Sequence, residues 1–214
     1  KNNTILTKII KITRKMSQIS SLLCKTVTTQ KEKEVRQDIW EHSQWKDIAT
    51  LESNNVGEVG EQFLLGLCKL SGIEAEIDGT TTKKIGGGEG DGIIKGKSVE
   101  IKCARLGAST PSFQHELGEV PWHPEYMAFI DIAPENFFLT IFPNLTEEQY
   151  KSKNKHPYFP TRTVCWRKQK GAFKFDTTKQ LNITQAMVPN ANTLIWTQDT
   201  SIDTIKNFIN RIIV

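Results

Sequence analysis

Apolar positions along the chain change their spacing several times, and each change marks an element. Val59, Phe63, Leu67 and Leu70 recur at helical intervals after Asn54 and Asn55, and Gly72 closes the run, predicting a helix. Within it, Glu58 is read as a capping acid paired with Asn55. Ile73 to Ile77 reads as a strand, and Gly79 to Gly90, with Gly86-Gly87-Gly88, as a loop. Asp91 to Ile94, a turn around Lys95-Gly96-Lys97, and Ser98 to Ala104 form a predicted hairpin. Tyr126 to Ala133 and Phe137 to Phe142 are two further strands, separated by Pro134-Glu135-Asn136. Thr193 to Thr197 is another strand, and a helix follows from Thr200 to Ile213, with Thr200-Ser201-Ile202-Asp203 as its capping segment.

The flanks are less regular. Residues 1–30 are rich in Thr, Lys and Ile without clean periodicity, and read as an arm or weak helix. Lys31 to Thr50 is charged, with Val35, Ile39, Trp40 and Trp45 at loosely helical spacing. Residues 1–50 are therefore read as a basic arm and helical extension, and 51–214 as the main domain. Lys1 is not an initiator, so the sequence starts within a fragment or an upstream extension, and Met16 is a candidate natural start. The order of helix, strand, hairpin, link, strands and terminal helix is mixed α/β rather than a strict βαβ alternation.

Composition narrows the class. The 214 residues are 37% hydrophobic, with five Trp spread along the chain, which excludes collagen-like and wholly disordered proteins. No uncharged apolar run reaches the roughly 18–20 residues of a bilayer span, so no membrane partner is expected. The four cysteines form no CxxC pair, which argues against a zinc cluster and fits a reducing, cytoplasmic location.

Charge is informative by position. The net charge is only +4, but residues 1–31 hold seven basic residues and no acid. Leu106 to Tyr150 has no Lys or Arg, whereas Lys151 to Phe175 has no acid and carries Arg162, Arg167, Lys168 and Lys170 among aromatic residues. Such segregation suggests a face for a polyanion. His115 and His123, with Glu116 and Glu119, fit no zinc spacing and read as a polar loop.

The chemistry concentrates in the hairpin. Side chains alternate across a strand, so Glu100 and Lys102 share one face while Val99, Ile101 and Cys103 take the other. The Lys95-Gly96-Lys97 turn folds Asp91 back beside Glu100. Two carboxylates and an amine are thereby gathered, a donor set that suits Mg²⁺ with water and phosphate oxygens completing its shell. A polar strand edge is the competing reading of Glu100 and Lys102, and a turn residue that of Asp91. Glu61, in the first half of the helix, adds a third acid; an exposed acid favoured by the helix dipole is the alternative there.

Taken in order, Glu61 on a helix, Asp91 before a hairpin, and Glu100-Ile101-Lys102 on its second strand resemble the PD-(D/E)xK nuclease superfamily. The match covers residues 54–103, with Tyr126 to Ala133 as a further strand, and Gly90 stands where the eponymous motif has Pro. The resemblance implies a restriction-endonuclease-like mixed sheet flanked by helices, with an αβββαβ core at about 54–142 and the N-terminal extension outside it. Residues 143–214 would then supply DNA recognition and the C-terminal part. It implies Mg²⁺ held by Asp91, Glu100 and the Ile101 carbonyl, with Lys102 positioning water and Glu61 supporting the metal shell. Arg105, Gln114, Arg162, Arg167, Lys168 and Lys170 are the DNA-contact candidates. A Type II restriction endonuclease acting on double-stranded DNA as a homodimer is the leading expectation, because two strands need two sites. A structure-selective nuclease (a junction resolvase or repair enzyme) and a DNA-binding module without catalysis are the alternatives.

Overall fold

The computed structural model describes residues 2–33, 38–78, 90–107, 113–117, 123–143, 168–169, 172–176 and 192–214. The loop with Gly86-Gly87-Gly88, and Arg162, Arg167 and Lys170, lie outside them. Two compact units divide the chain, Lys1–Asp38 and Ile39–Val214.

The first unit is helix α1 (Asn2–Lys33), continuous where the sequence read as an arm or weak helix. Lys31 and Lys33 end it with the charge a helix C-terminus favours. Ile19, Leu22, Leu23 and Val27 are exposed along it at helical spacing.

The second unit starts at Ile39 rather than at residue 51, because aromatic anchors precede the first long helix. Trp40 is buried, and the Trp45 indole donates to the Ala133 carbonyl at 2.7 Å. A short 3₁₀ helix (Lys46–Thr50) buries Ile48 in the same core. Helix α2 (Ser53–Leu70) turns Val56, Gly60, Leu64, Leu67 and Cys68 inward. It begins before the expected Asn55, and Glu52 caps it without a side-chain bond, so Asn55 and Glu58 lie inside the helix. Gly72, at φ +63°, ends it, and the Ile73 amide returns to the Cys68 carbonyl at 2.8 Å.

The main sheet has the order β1-β2-β3-β5-β6-β9. Its strands are β1 (Ala75–Ile77), β2 (Gly92–Ile94), β3 (Lys97–Arg105), β5 (Tyr126–Ile132), β6 (Phe137–Pro143) and β9 (Thr193–Trp196). Neighbours run antiparallel except β3 and β5, which are parallel. The β2–β3 turn has Lys95 at φ 53° and Gly96 at φ 76°, the two positive values a two-residue type I′ hairpin demands.

A parallel pair needs a crossover. Among the described residues that crossover contains strand β4 (Gln114–Leu117), where an αβββαβ core calls for a helix. Strand β4 joins β8 (Ala172–Asp176) and β7 (Lys168–Gln169) in a second sheet. The expected polar loop around His115 is therefore a paired strand.

Helix α2 and the last helix, α3 (Ile202–Ile212), contribute to one core with Val99, Ile101 and Cys103 of β3 and with Ala128, Ile130, Leu139 and Ile141. Ser201, not Thr200, caps α3, its hydroxyl accepting from the Thr204 amide at 3.1 Å. The opposite sheet face carries Ala104 and Phe138, packed with Phe113. The second unit is an α/β fold with a mixed six-stranded sheet and helices against it.

Candidate active site

Strand β2 is short, and its brevity builds the site. Gly92 pairs with Val99, so the ladder stops there while β3 continues to Arg105. Asp91, one residue before β2, keeps its amide on the Val99 carbonyl at 2.9 Å. Its carboxylate then reaches the β3 edge left beyond β2, and Oδ2 accepts the Ile101 amide at 2.8 Å. Amide and carbonyl of one strand residue leave on the same side, so the Ile101 carbonyl faces that edge too.

Register puts Asp91 on the face of Glu100 and Lys102. Lys102 Nζ bonds Glu100 Oε1 and lies 3.8 Å from Asp91 Oδ2. One ammonium thus engages both carboxylates. Side-chain exposure is 21% for Lys102, 17% for Glu100 and 4% for Asp91, a recess that screens charge less than open water. Beside Lys102 in register is Phe129, fully buried and stacked on Phe142 with ring centroids 5.5 Å apart.

Gly90 precedes Asp91 with a backbone that excludes proline. Its φ is +159°, and a Cβ there would sit 2.6 Å from the Val99 carbonyl oxygen. Proline, fixed near −65°, cannot adopt that backbone.

Glu61 reaches β3 from the other side. Gly60 packs so closely that an added Cβ would meet Cys103 Cβ at 2.3 Å. Burial pushes the Cys103 thiol up, and the charges of Asp131 and Glu61 push it further. The close approach of Gly60 seats α2 on β3 at Cys103, so the helix that carries Glu61 covers the sheet face opposite Glu100 and Lys102.

Arg105 is engaged in structure. Its Nη1 donates to the Ile48 carbonyl at 2.8 Å and to the Leu51 carbonyl, holding the 3₁₀ helix to the end of β3. As an odd-numbered residue it shares the α2-covered face, away from Lys102. Gln114 is exposed on β4, opposite Asp176. The backbone of Lys168 belongs to β7, opposite Phe173.

One pair on the sheet face of Glu100 and Lys102 was not found from the sequence. His115 Nε2 and Asp131 Oδ1 are 2.6 Å apart with both side chains fully buried. The imidazole meets Phe129 edge-on at 4.9 Å. Asp131 pairs in register with Ala104, one step along from Lys102 and Phe129. The only sequence signal was a lone acid within an otherwise apolar strand, Tyr126 to Ala133.

Among the described residues, no group of three or more His, Cys, Asp or Glu side chains is arranged to hold a metal ion. The donors that do converge are the carboxylates of Asp91 and Glu100, with the Ile101 carbonyl on the same edge. All are hard oxygens, few in number, as Mg²⁺ accepts when water and phosphate complete its shell. The ammonium already between them shows that the recess favours positive charge. Among the described residues, no helix is long and apolar enough to cross a membrane. Comparisons with protein-family models, with curated proteins and with solved structures returned no match.

Proposed function

We propose that this chain is a Mg²⁺-dependent endodeoxyribonuclease that hydrolyses phosphodiester bonds of double-stranded DNA. The observation that carries the proposal is the convergence of Asp91, Glu100 and Lys102 where β2 ends and β3 continues. Asp91, Glu100 and the Ile101 carbonyl would hold the ion. Bound there, Mg²⁺ supplies Lewis-acid stabilisation of phosphate charge and lowers the pKa of a water.

The side chains divide the remaining work. The Ile101 amide fixes the Asp91 carboxylate, so the acid does not reorganise when a charged substrate arrives. Lys102 presents donors and positive charge at the mouth of the recess, where they orient a water and a phosphate oxygen. The water oxygen joins phosphorus, one P–O bond breaks, and the departing oxygen takes a proton. Glu61, beside Cys103, would act around the β3 edge through water rather than as a direct ligand.

Within this class we favour a Type II restriction endonuclease acting as a homodimer. The length of chain after β6 and the acid-free Lys151–Phe175 segment support it, because base recognition needs surface beyond the catalytic hairpin. A structure-selective nuclease is the second reading, supported by the same convergence. Incubating the protein with intact plasmid and Mg²⁺, then sequencing fragment ends, separates them. Ends at one short sequence support restriction, ends at junctions or flaps support structure selection, and intact plasmid contradicts both.

A further inference from the structure

We infer that Lys102 is a resident counterion that competes with a divalent cation for Asp91 and Glu100, making uptake of the ion depend on phosphate. The inference rests on the metal-binding reading above and concerns its regulation.

The geometry sets the competition. The Lys102 ammonium bonds Glu100 Oε1 and stands 3.8 Å from Asp91 Oδ2. Mg²⁺ binds oxygen at roughly 2.0–2.1 Å, so an ion on these two carboxylates would share its first shell with the ammonium. Like charges at such range repel strongly in a recess only partly open to water. The Asp91 carboxylate is poorly placed to escape, because the Ile101 amide holds the same oxygen, Oδ2, at 2.8 Å. The lysine must therefore be the group that moves, and its flexible four-carbon stem permits that.

Charge counting then assigns the trigger. Two carboxylates and one ammonium leave the cluster at −1. Adding a divalent cation with the ammonium in place makes it +1, and one phosphodiester anion restores neutrality. Phosphate thus supplies the new partner that draws Lys102 from Glu100 as the ion enters. Because coupling between two ligands is reciprocal, DNA tightens the metal and the metal tightens DNA. Without DNA, the lysine holds the site closed to adventitious divalent ions.

Mn²⁺ binding, followed by the loss of the free-ion resonance signal in titrations without DNA, tests this independently of cleavage. Lys102→Met should bind Mn²⁺ about tenfold or more tightly than the natural chain. Adding Asp91→Asn to Lys102→Met should remove that gain. Lys102→Gln, which keeps a polar side chain, should show the same gain and serves if the Met variant does not fold. Equal Mn²⁺ affinity in the natural chain and both Lys102 variants, still lost with Asp91→Asn, would overturn the counterion role and leave the metal site standing. Binding insensitive to Asp91 throughout would overturn both.

Discussion

Asp91 and Ile101 are joined by a side chain-to-backbone hydrogen bond of 2.8 Å, on the edge of β3 where β2 has ended. A buried carboxylate substitutes for a ladder partner, and the same carboxylate belongs to the candidate reaction centre. Structure and chemistry share one atom, Asp91 Oδ2.

That sharing separates two substitutions. Asp91→Ala leaves the Ile101 amide without an acceptor and should cost about 1–3 kcal/mol of stability. Asp91→Asn keeps an acceptor oxygen and should cost less, while still removing the negative charge. Urea unfolding of both variants checks the order; equal losses would mean that the hydrogen bond does not hold the hairpin.

Two glycines should resist substitution because neighbours occupy the space of a side chain. Gly60→Ala drives a methyl into Cys103 and should destabilise by about 1–3 kcal/mol through overpacking. Gly90→Pro should instead disrupt the approach to Asp91 and lower the melting temperature, because proline cannot adopt the φ of +159° found there. A Gly90→Pro chain as stable as the natural one would contradict the backbone described for this position.

Cysteine chemistry follows burial. The Cys68 thiol is pushed up from its ordinary 9.0 to about 11 by burial, and Cys103 is also raised. Cys24 is exposed, so alkylation at pH 8 should mark Cys24 well before Cys68 or Cys103, as peptide mass spectrometry would read. Because the unfolded thiol ionises first, the Cys68 contribution is complete below pH 9.0 and fades as pH rises toward about 11. Because Cys103 still contributes in Cys68→Ala, the expected contrast is a shallower fall in that variant than in the natural chain over that window. Parallel curves would contradict it.

The His115–Asp131 pair ties β4 of the second sheet to β5 of the main one. Removing either partner takes a 2.6 Å contact from a fully buried polar group, so His115→Phe or Asp131→Ala should cost about 1–3 kcal/mol. Replacing both by apolar residues should recover part of that loss. A double variant that loses the sum of the single effects would show that the two side chains do not act as a pair.

Local signals made much of this legible. Helical spacing from Val59 to Leu70, the Lys95-Gly96 turn and the alternation from Val99 to Cys103 each depend on neighbours in sequence, and each element formed where they pointed. The alternation also placed Glu100 and Lys102 on one face. Long-range partners were illegible. His115 looked like loop because its partner Asp131 arrives only after the crossover. Arg105 looked free for phosphate because the carbonyls it holds, Ile48 and Leu51, lie 57 and 54 residues earlier. The helix register of Glu61 was evident, but not that Gly60 would seat its helix on the sheet face opposite Glu100. The basic residues Arg162, Arg167 and Lys170 fall outside the described residues, and the acid-free charge of their segment is what supports contact with DNA.

The most direct measurement compares cleavage and binding of duplex DNA by the natural chain, Asp91→Asn and Lys102→Ala, with Mg²⁺ present. If these side chains form the reaction centre, the natural chain cuts, both variants lose at least about a hundredfold in rate, and both still retain DNA in a mobility-shift assay. Variants that cut as fast as the natural chain would contradict the assignment outright.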